Sequence, residues 1–298
     1  MYVTSDIYDM ERIAPCLDYA WQEVLVAGVG IFGSTWPGPT AAADLLYSAA
    51  GVAGLCADMK YGGYDLKGET RTRNINPSNL RRVLKRASAE KLSTITESLL
   101  TGHVQRPGAG SLGHTAILVG GAIAALAPSY GTFGGSFVFP WRESSCEVGA
   151  QILRAAAIRA GAGYGYYFVR DDAFFPQGYS AGLAGGSAAL CVPAEEWREL
   201  NAIGEWIKLA RAGNHAPGGA WLMRDLYEIN LLSARHLEHP ICGMNLRDWI
   251  EHRDDAGRLE GIDQDRCLWH IHSAQMGVIR AELIKAGVIV ARYPHVYR

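Results

Sequence analysis

Apolar and polar positions recur with several different periods along this chain, and each period predicts an element. Residues 23–32 form an apolar, valine-rich run, which predicts a first strand. Residues 33–39 must then be a loop, because Pro37 and Pro39 stand close together and block a helix. Thr40 can cap a short helix through Tyr47. Asn76-Pro77 opens another, with asparagine as cap and proline in the first helical position. Leu80, Val83, Leu84 and Ala87 mark its buried face, and Arg81, Arg82, Lys85 and Arg86 its solvated one. Strands are expected near residues 94–104 and 114–126, with a turn at 107–110 between them.

In the second half, Phe133, Phe137 and Phe139 interleave with small residues and predict a strand over 131–140, ended by Pro140. Val148, Ile152, Ala155 and Ala156 recur at helical spacing and predict a helix over 145–160. Gly161-Ala-Gly163 stops it, and the chain returns as a strand over 164–170. A further helix is expected over 194–212, strand followed by helix over 221–232, and a short helix over 246–252. Residues 257–262 and 265–272 read as a hairpin. Ser273 caps a last helix that reaches Ala286, with Gly287 at its end. The chain carries no close repeat and no low-complexity linker, so it reads as one compact unit. If it divides into two subdomains, the Gly-rich stretch 182–187 is the expected boundary.

Composition narrows the class. The chain has 298 residues, 49% of them apolar, which suffices for a large core, and only 19% charged. The 35 glycines fall between apolar runs and point to many turns, hence several strands, in a mixed α/β protein. A formal net charge of −2 gives no strong field toward nucleic acid or an acidic membrane. The amino terminus lacks the basic and apolar regions of a secretory signal, and the longest apolar stretch, 116–127, is too short to span a bilayer. Six cysteines are scattered without a Cys-x-x-Cys pair and read as reduced core residues. A cytoplasmic protein is expected.

Candidate chemistry is sparse. Gly28-x-Gly30-x-x-Gly33 follows a strand, as a dinucleotide fingerprint should. Such a site also needs a helix whose N–H groups face the pyrophosphate, and Trp36-Pro37-Gly38-Pro39 occupies that place. The run is therefore expected to be a glycine-rich strand end, with no cofactor; a nucleotide-dependent enzyme would instead need a parallel sheet and a helix starting at Gly33. His270 and His272 share one face of a predicted strand, and His236 and His239 could share a helix face, but neither pair has a local acidic or cysteine ligand to complete a metal site. Cys146 precedes a helix, where a thiolate is favoured. Asp171 and Asp172 are adjacent in an extended chain and point to opposite faces, a poor shared acid/base unit.

Charge and aromatic residues are unevenly placed. Lys67 to Lys91 holds eight basic and two acidic residues, read as a solvated helix face. Glu238 to Asp265 holds eight acidic and three basic residues, among them Asp254, Asp255, Asp263 and Asp265; these could steer a basic partner such as the cleft of a nuclease. Tyr164, Tyr166, Tyr167, Phe168, Phe174, Phe175 and Tyr179 crowd a short stretch. Strand alternation buries half of the first group, which leaves Phe174, Phe175 and Tyr179 as candidate interface anchors.

Gly135-Ser-Phe137-Val-Phe139-Pro140, a helix, then Gly163-Tyr164-Gly165-Tyr166 resembles the central unit of bacterial type VI secretion immunity proteins, which pair with toxic effectors. The segment from Trp221 through Arg224 and Asn230 to Ser233, and Gly243-Met-Asn-Leu246-Arg-Asp-Trp249, fit the same layout, so the resemblance covers roughly residues 130 to 285. It implies an α+β fold with largely antiparallel strands flanked by helices, no catalysis, and neutralisation of a toxin by binding. An enzyme using Gly28–Gly33 and an oligomerisation module are the alternatives.

Overall fold

The valine-rich run is strand β1 (Leu25–Gly33), and eight of its nine residues are buried. The reason is its position. In the computed structural model it pairs antiparallel on one edge with β6 (Phe133–Pro140) and on the other with β7 (Tyr164–Asp171). Both faces are covered, so the usual alternation of apolar and polar positions disappears. The structure describes residues 25–35, 41, 44–45, 48–49, 52, 59–64, 70–74, 99–104, 117–120, 133–171, 179, 206, 208–209, 212–215 and 217–290.

Outward from β6 the sheet continues through β5 (Ile117–Gly120), β4 (Leu99–Val104), β2 (Met59–Tyr64) and β3 (Thr70–Asn74). Outward from β7 it continues through β8 (Ile229–Ser233), β12 (Arg266–His270) and β11 (Arg258–Gly261). The ten strands follow the order β11-β12-β8-β7-β1-β6-β5-β4-β2-β3, and every pairing among them is antiparallel. With its flanking helices this is an α+β fold. The helical positions resolved at 41, 44–45, 48–49 and 52 fall on or just beyond the short helix expected after Thr40.

Helix α1 (Ser145–Ala160) spans the expected residues. Gly161 closes it in the left-handed region at φ 67°, and the Gly161 and Ala162 N–H groups donate back to the Ala157 and Ala156 carbonyls. The helix covers one face of the sheet, packing Ile152, Leu153, Ala156 and Ala157 on Ala27, Val29, Ile31, Phe137 and Tyr167. The opposite face packs Phe32, Tyr164, Tyr166 and Phe168, with Trp269 of β12, against Trp206 and Trp249. Over it lie α2 (Ala234–Leu237), the hairpin of β9 (Pro240–Ile241) and β10 (Met244–Asn245), α3 (Leu246–Glu251) and α4 (Ser273–Ala286).

The Gly28–Gly33 run belongs to this packing. The run is the glycine-rich strand end expected of it: Gly28 and Gly30 pair with neighbours on both edges, Gly33 ends β1 paired with Phe133 of β6, and Gly33 opens no helix. A Cβ on Gly28 would stand 2.3 Å from Cζ of Phe168, whose ring crosses the strand there. Gly28→Ala should therefore lower stability by about 1–3 kcal/mol, the usual penalty of overpacking a closed core. The midpoint of urea unfolding measures it, and an unchanged midpoint would show that the Phe168 ring moves aside freely.

Several expectations are corrected. The β2–β3 hairpin answers to no predicted element, and Arg71 and Arg73 of the basic run lie in β3 rather than on a helix. Residues 221–228 are irregular, β8 follows, and helix begins only at Ala234. The predicted hairpin exists as β11–β12, but its second strand ends at His270. The boundary at 182–187, the helix opened by Asn76-Pro77, and most of the helix over 194–212 lie outside the described residues. Among the described residues, no helix is long and apolar enough to cross a membrane.

Candidate functional site

The acidic segment sits at the end of α3 and around the β11–β12 hairpin, and most of its charge is engaged internally. Arg253 donates from Nε and an Nη to the two carboxylate oxygens of Asp255, both at 2.8 Å, and from its other Nη to Glu282 at 2.6 Å. Its guanidinium also lies 4.5 Å from the ring centre of Trp249. Hydrogen bonding from Arg253 holds the Asp255 carboxyl below its usual range. Arg266 does the same for Asp263, donating at 2.5 and 3.0 Å, while the Asp265 N–H donates to the other Asp263 oxygen at 3.0 Å.

Glu260 bridges Arg154 of α1 and His270 of β12. Burial works against its ionisation, but Arg154 and then His270 outweigh it and the carboxyl is held low. Of the four aspartates expected to steer a partner, Asp255 and Asp263 are thus tied into ion pairs. Asp254 and Asp265 are exposed, with no ion pair from their carboxylates among the described residues.

The aromatic cluster is interior. Tyr164, Tyr166 and Phe168 face one side of β7 and Tyr167 the other, and all four are buried because β7 lies within the sheet. Tyr179 is only 4% exposed, which corrects its reading as a surface anchor. The Arg170 and Arg224 guanidinium groups each stand 4.1 Å from its ring centre, and its hydroxyl lies 3.2 Å from that of Tyr227. Phe174, Phe175 and Asp172 lie outside the described residues.

The histidines do not gather as expected. His270 closes β12, where burial and Arg258 lower its pKa against the opposing pull of Glu260. His272 lies beyond the strand and caps α4, its Nδ1 accepting the Ala274 N–H at 3.3 Å, so Ser273 is the first helical residue rather than the cap. His236 is buried in α2 with Nδ1 2.9 Å from the Ser233 hydroxyl, whereas His239 lies past the end of that helix. Among the described residues, no group of three or more His, Cys, Asp or Glu could hold a metal ion. The Cys146 thiol is pushed up by desolvation and by the Glu228 and Glu147 carboxylates, which reverses the expected helix-start effect.

Two buried polar groups were not read from the sequence. Arg280 of α4 and Asp225 form an ion pair whose side chains are 6% and 1% exposed. His215 and His236 lie with ring centres 5.2 Å apart, stacked against Tyr164 and edged by Trp221. Trp221 holds a left-handed backbone at φ 53°, a costly conformation for a large side chain. The charged dipeptide Arg224-Asp225 between Met223 and Leu226 was the available signal for the ion pair.

No protein-family model matches this chain, and no curated protein matches it. Among solved structures it is similar to the Pseudomonas aeruginosa type VI secretion system (T6SS) protein PA0821. The two share 12% identity and a TM-score of 0.54, over 91% of this chain and 77% of that one. The likeness is one of fold.

Proposed function

We propose that this chain is an immunity protein of a type VI secretion system, which binds a cognate secreted toxin and neutralises it by covering the toxin's active surface. On this reading it is a cytoplasmic binding protein and not an enzyme, and its partner is a protein. The observation that carries the reading is the likeness of fold to a T6SS protein over nine-tenths of the chain.

Co-expression with the toxin-like product of a neighbouring reading frame tests it. Growth should be rescued and a complex should co-purify; absence of both for every adjacent frame overturns the reading. Asp254, ahead of β11, and Asp265, in the β11–β12 turn, are exposed and suit attraction to a basic toxin surface. Asp254→Lys with Asp265→Lys should slow association roughly 10-fold at low salt and leave dissociation nearly unchanged, as charges that act by long-range steering do. Stopped-flow or surface-binding kinetics at two salt concentrations would read this directly.

A further inference from the structure

We propose that the sheet end formed by Trp141, Leu25 and Val169 is where the partner docks, and that it takes a basic segment presenting an apolar side chain between lysines or arginines. The proposal rests on the binding reading above and assigns its surface.

The register places these three residues together. Ala27 of β1 stands opposite Phe139 of β6 and Val169 of β7, so the three side chains share one face. Two residues earlier, Leu25 lies on that same face, and its carbonyl accepts the Trp141 N–H at 3.2 Å, which sets Trp141 beside it. This is the face that α1 covers. Ala27 beneath the helix is 0% exposed, whereas Leu25, Trp141 and Val169 remain 43%, 44% and 40% exposed. The cover stops one residue pair short of the sheet's end, and three adjacent strands present bare apolar side chains there. The other large exposed apolar residues, Ile158, Met244 and Val278, stand singly on α1, β10 and α4, as is ordinary for protein surfaces.

Charge names the occupant. Glu143 lies in the exposed loop after Trp141, and Glu147 in the first turn of α1. Glu228, just ahead of β8, acts together with Glu147 on the Cys146 thiol and also on the Tyr167 hydroxyl, two residues along β7 from Val169. None of these three carboxylates is in an ion pair among the described residues, unlike Asp255, Glu260 and Asp263. Arg142 is the cation these segments set against them. A half-exposed tryptophan with Glu143 two residues on, and Glu147 and Glu228 at the same end of the sheet, is the reverse image of a basic segment with an apolar anchor, and tryptophan is the side chain most often dominant in such contacts.

The test uses the toxin that passes the co-expression assay as probe, and titrates the full-length chain against it. Trp141→Ser should weaken binding at least about 30-fold, and Leu25→Ser should do so to a lesser degree, with unchanged thermal midpoints. Glu143→Lys with Glu147→Lys, which leaves the apolar residues intact, should weaken binding and reduce its dependence on salt. Unchanged affinity in all three variants overturns the assignment while leaving the immunity reading standing. A chain that binds no adjacent toxin overturns both. Sedimentation of the chain alone supplies the remaining arm: a dimer that Trp141→Ser dissociates would assign the surface to a second copy and overturn the proposal.

Discussion

Asp225→Ala is expected to cost about 3–5 kcal/mol of unfolding free energy, the penalty of removing one partner from a buried ion pair. Asp225 is 1% exposed and its oxygens accept from Arg280 at 2.6 and 3.3 Å, while one of them also accepts the Leu226 N–H at 2.8 Å. The pair ties the middle of the irregular segment before β8 to the middle of α4, so its loss uncouples two elements that pack over the same sheet face. The energy lies in the unpaired remainder rather than in the attraction itself. Replacing both partners with apolar residues, Asp225→Leu with Arg280→Met, should therefore recover most of the loss. Urea unfolding of the two variants decides the matter. A single variant that loses less than about 1 kcal/mol would mean that water reaches the guanidinium.

The second large effect is loss of stability in mild acid. His215 and His236 are buried at 3% and 0% exposure, and the Nε2 of His236 has no hydrogen-bond partner among the described residues. Burial pushes the His215 pKa down to about 3; burial, then His215 and His239, pushes His236 well below its usual value. The folded pKa values lie below the unfolded ones, so the unfolded chain takes up protons first as pH falls below about 6.5. Stability should be level above that pH and should decline from there downward. Between pH 7.5 and 5, His215 alone accounts for about 2 kcal/mol, and His236 adds to the loss in the same direction. Asp255, Glu260 and Asp263 act in the same direction but over a lower range: their depressed values support the fold above the usual carboxylate range, and that support is lost only in stronger acid. The two windows separate. Denaturant midpoints collected from pH 8 to pH 5 should fall in wild type and fall less steeply in His215→Gln. A flat profile would overturn the assignment.

What could be read from the residues depended on how locally each feature is encoded. Helix α1, its glycine stop, the strands on either side of it and the β11–β12 hairpin were legible because periodicity and caps act over a few residues. The β2–β3 hairpin was not: Met-Lys-Tyr-Gly-Gly-Tyr and Thr-Arg-Thr-Arg-Asn carry no apolar alternation, and the nearby basic run suggested a helix. The aromatic stretch misled for a different reason. Alternation exposes half of a strand only if one sheet face is wet, and nothing in residues 164–168 says that helices cover both sides. At the acidic end, charge was countable but its pairing was not, since Arg253 finds Glu282 and Glu260 finds Arg154 across long separations in the chain. Asp254 and Asp265 kept their expected exposure, whereas Tyr179 did not.

Strand β1 has a further consequence. β6 leads into α1 and β7 leaves it, yet the two strands do not pair; each pairs with β1, which lies between them. The sheet is therefore two half-sheets joined by a single nine-residue peptide that the ribosome delivers before either flank exists. Its hydrogen bonds must wait for more than a hundred later residues, a high-contact-order closure that makes the seam the slow step of assembly. A chain synthesised without that peptide would lose every hydrogen bond that joins the two half-sheets, since β1 alone pairs with both β6 and β7.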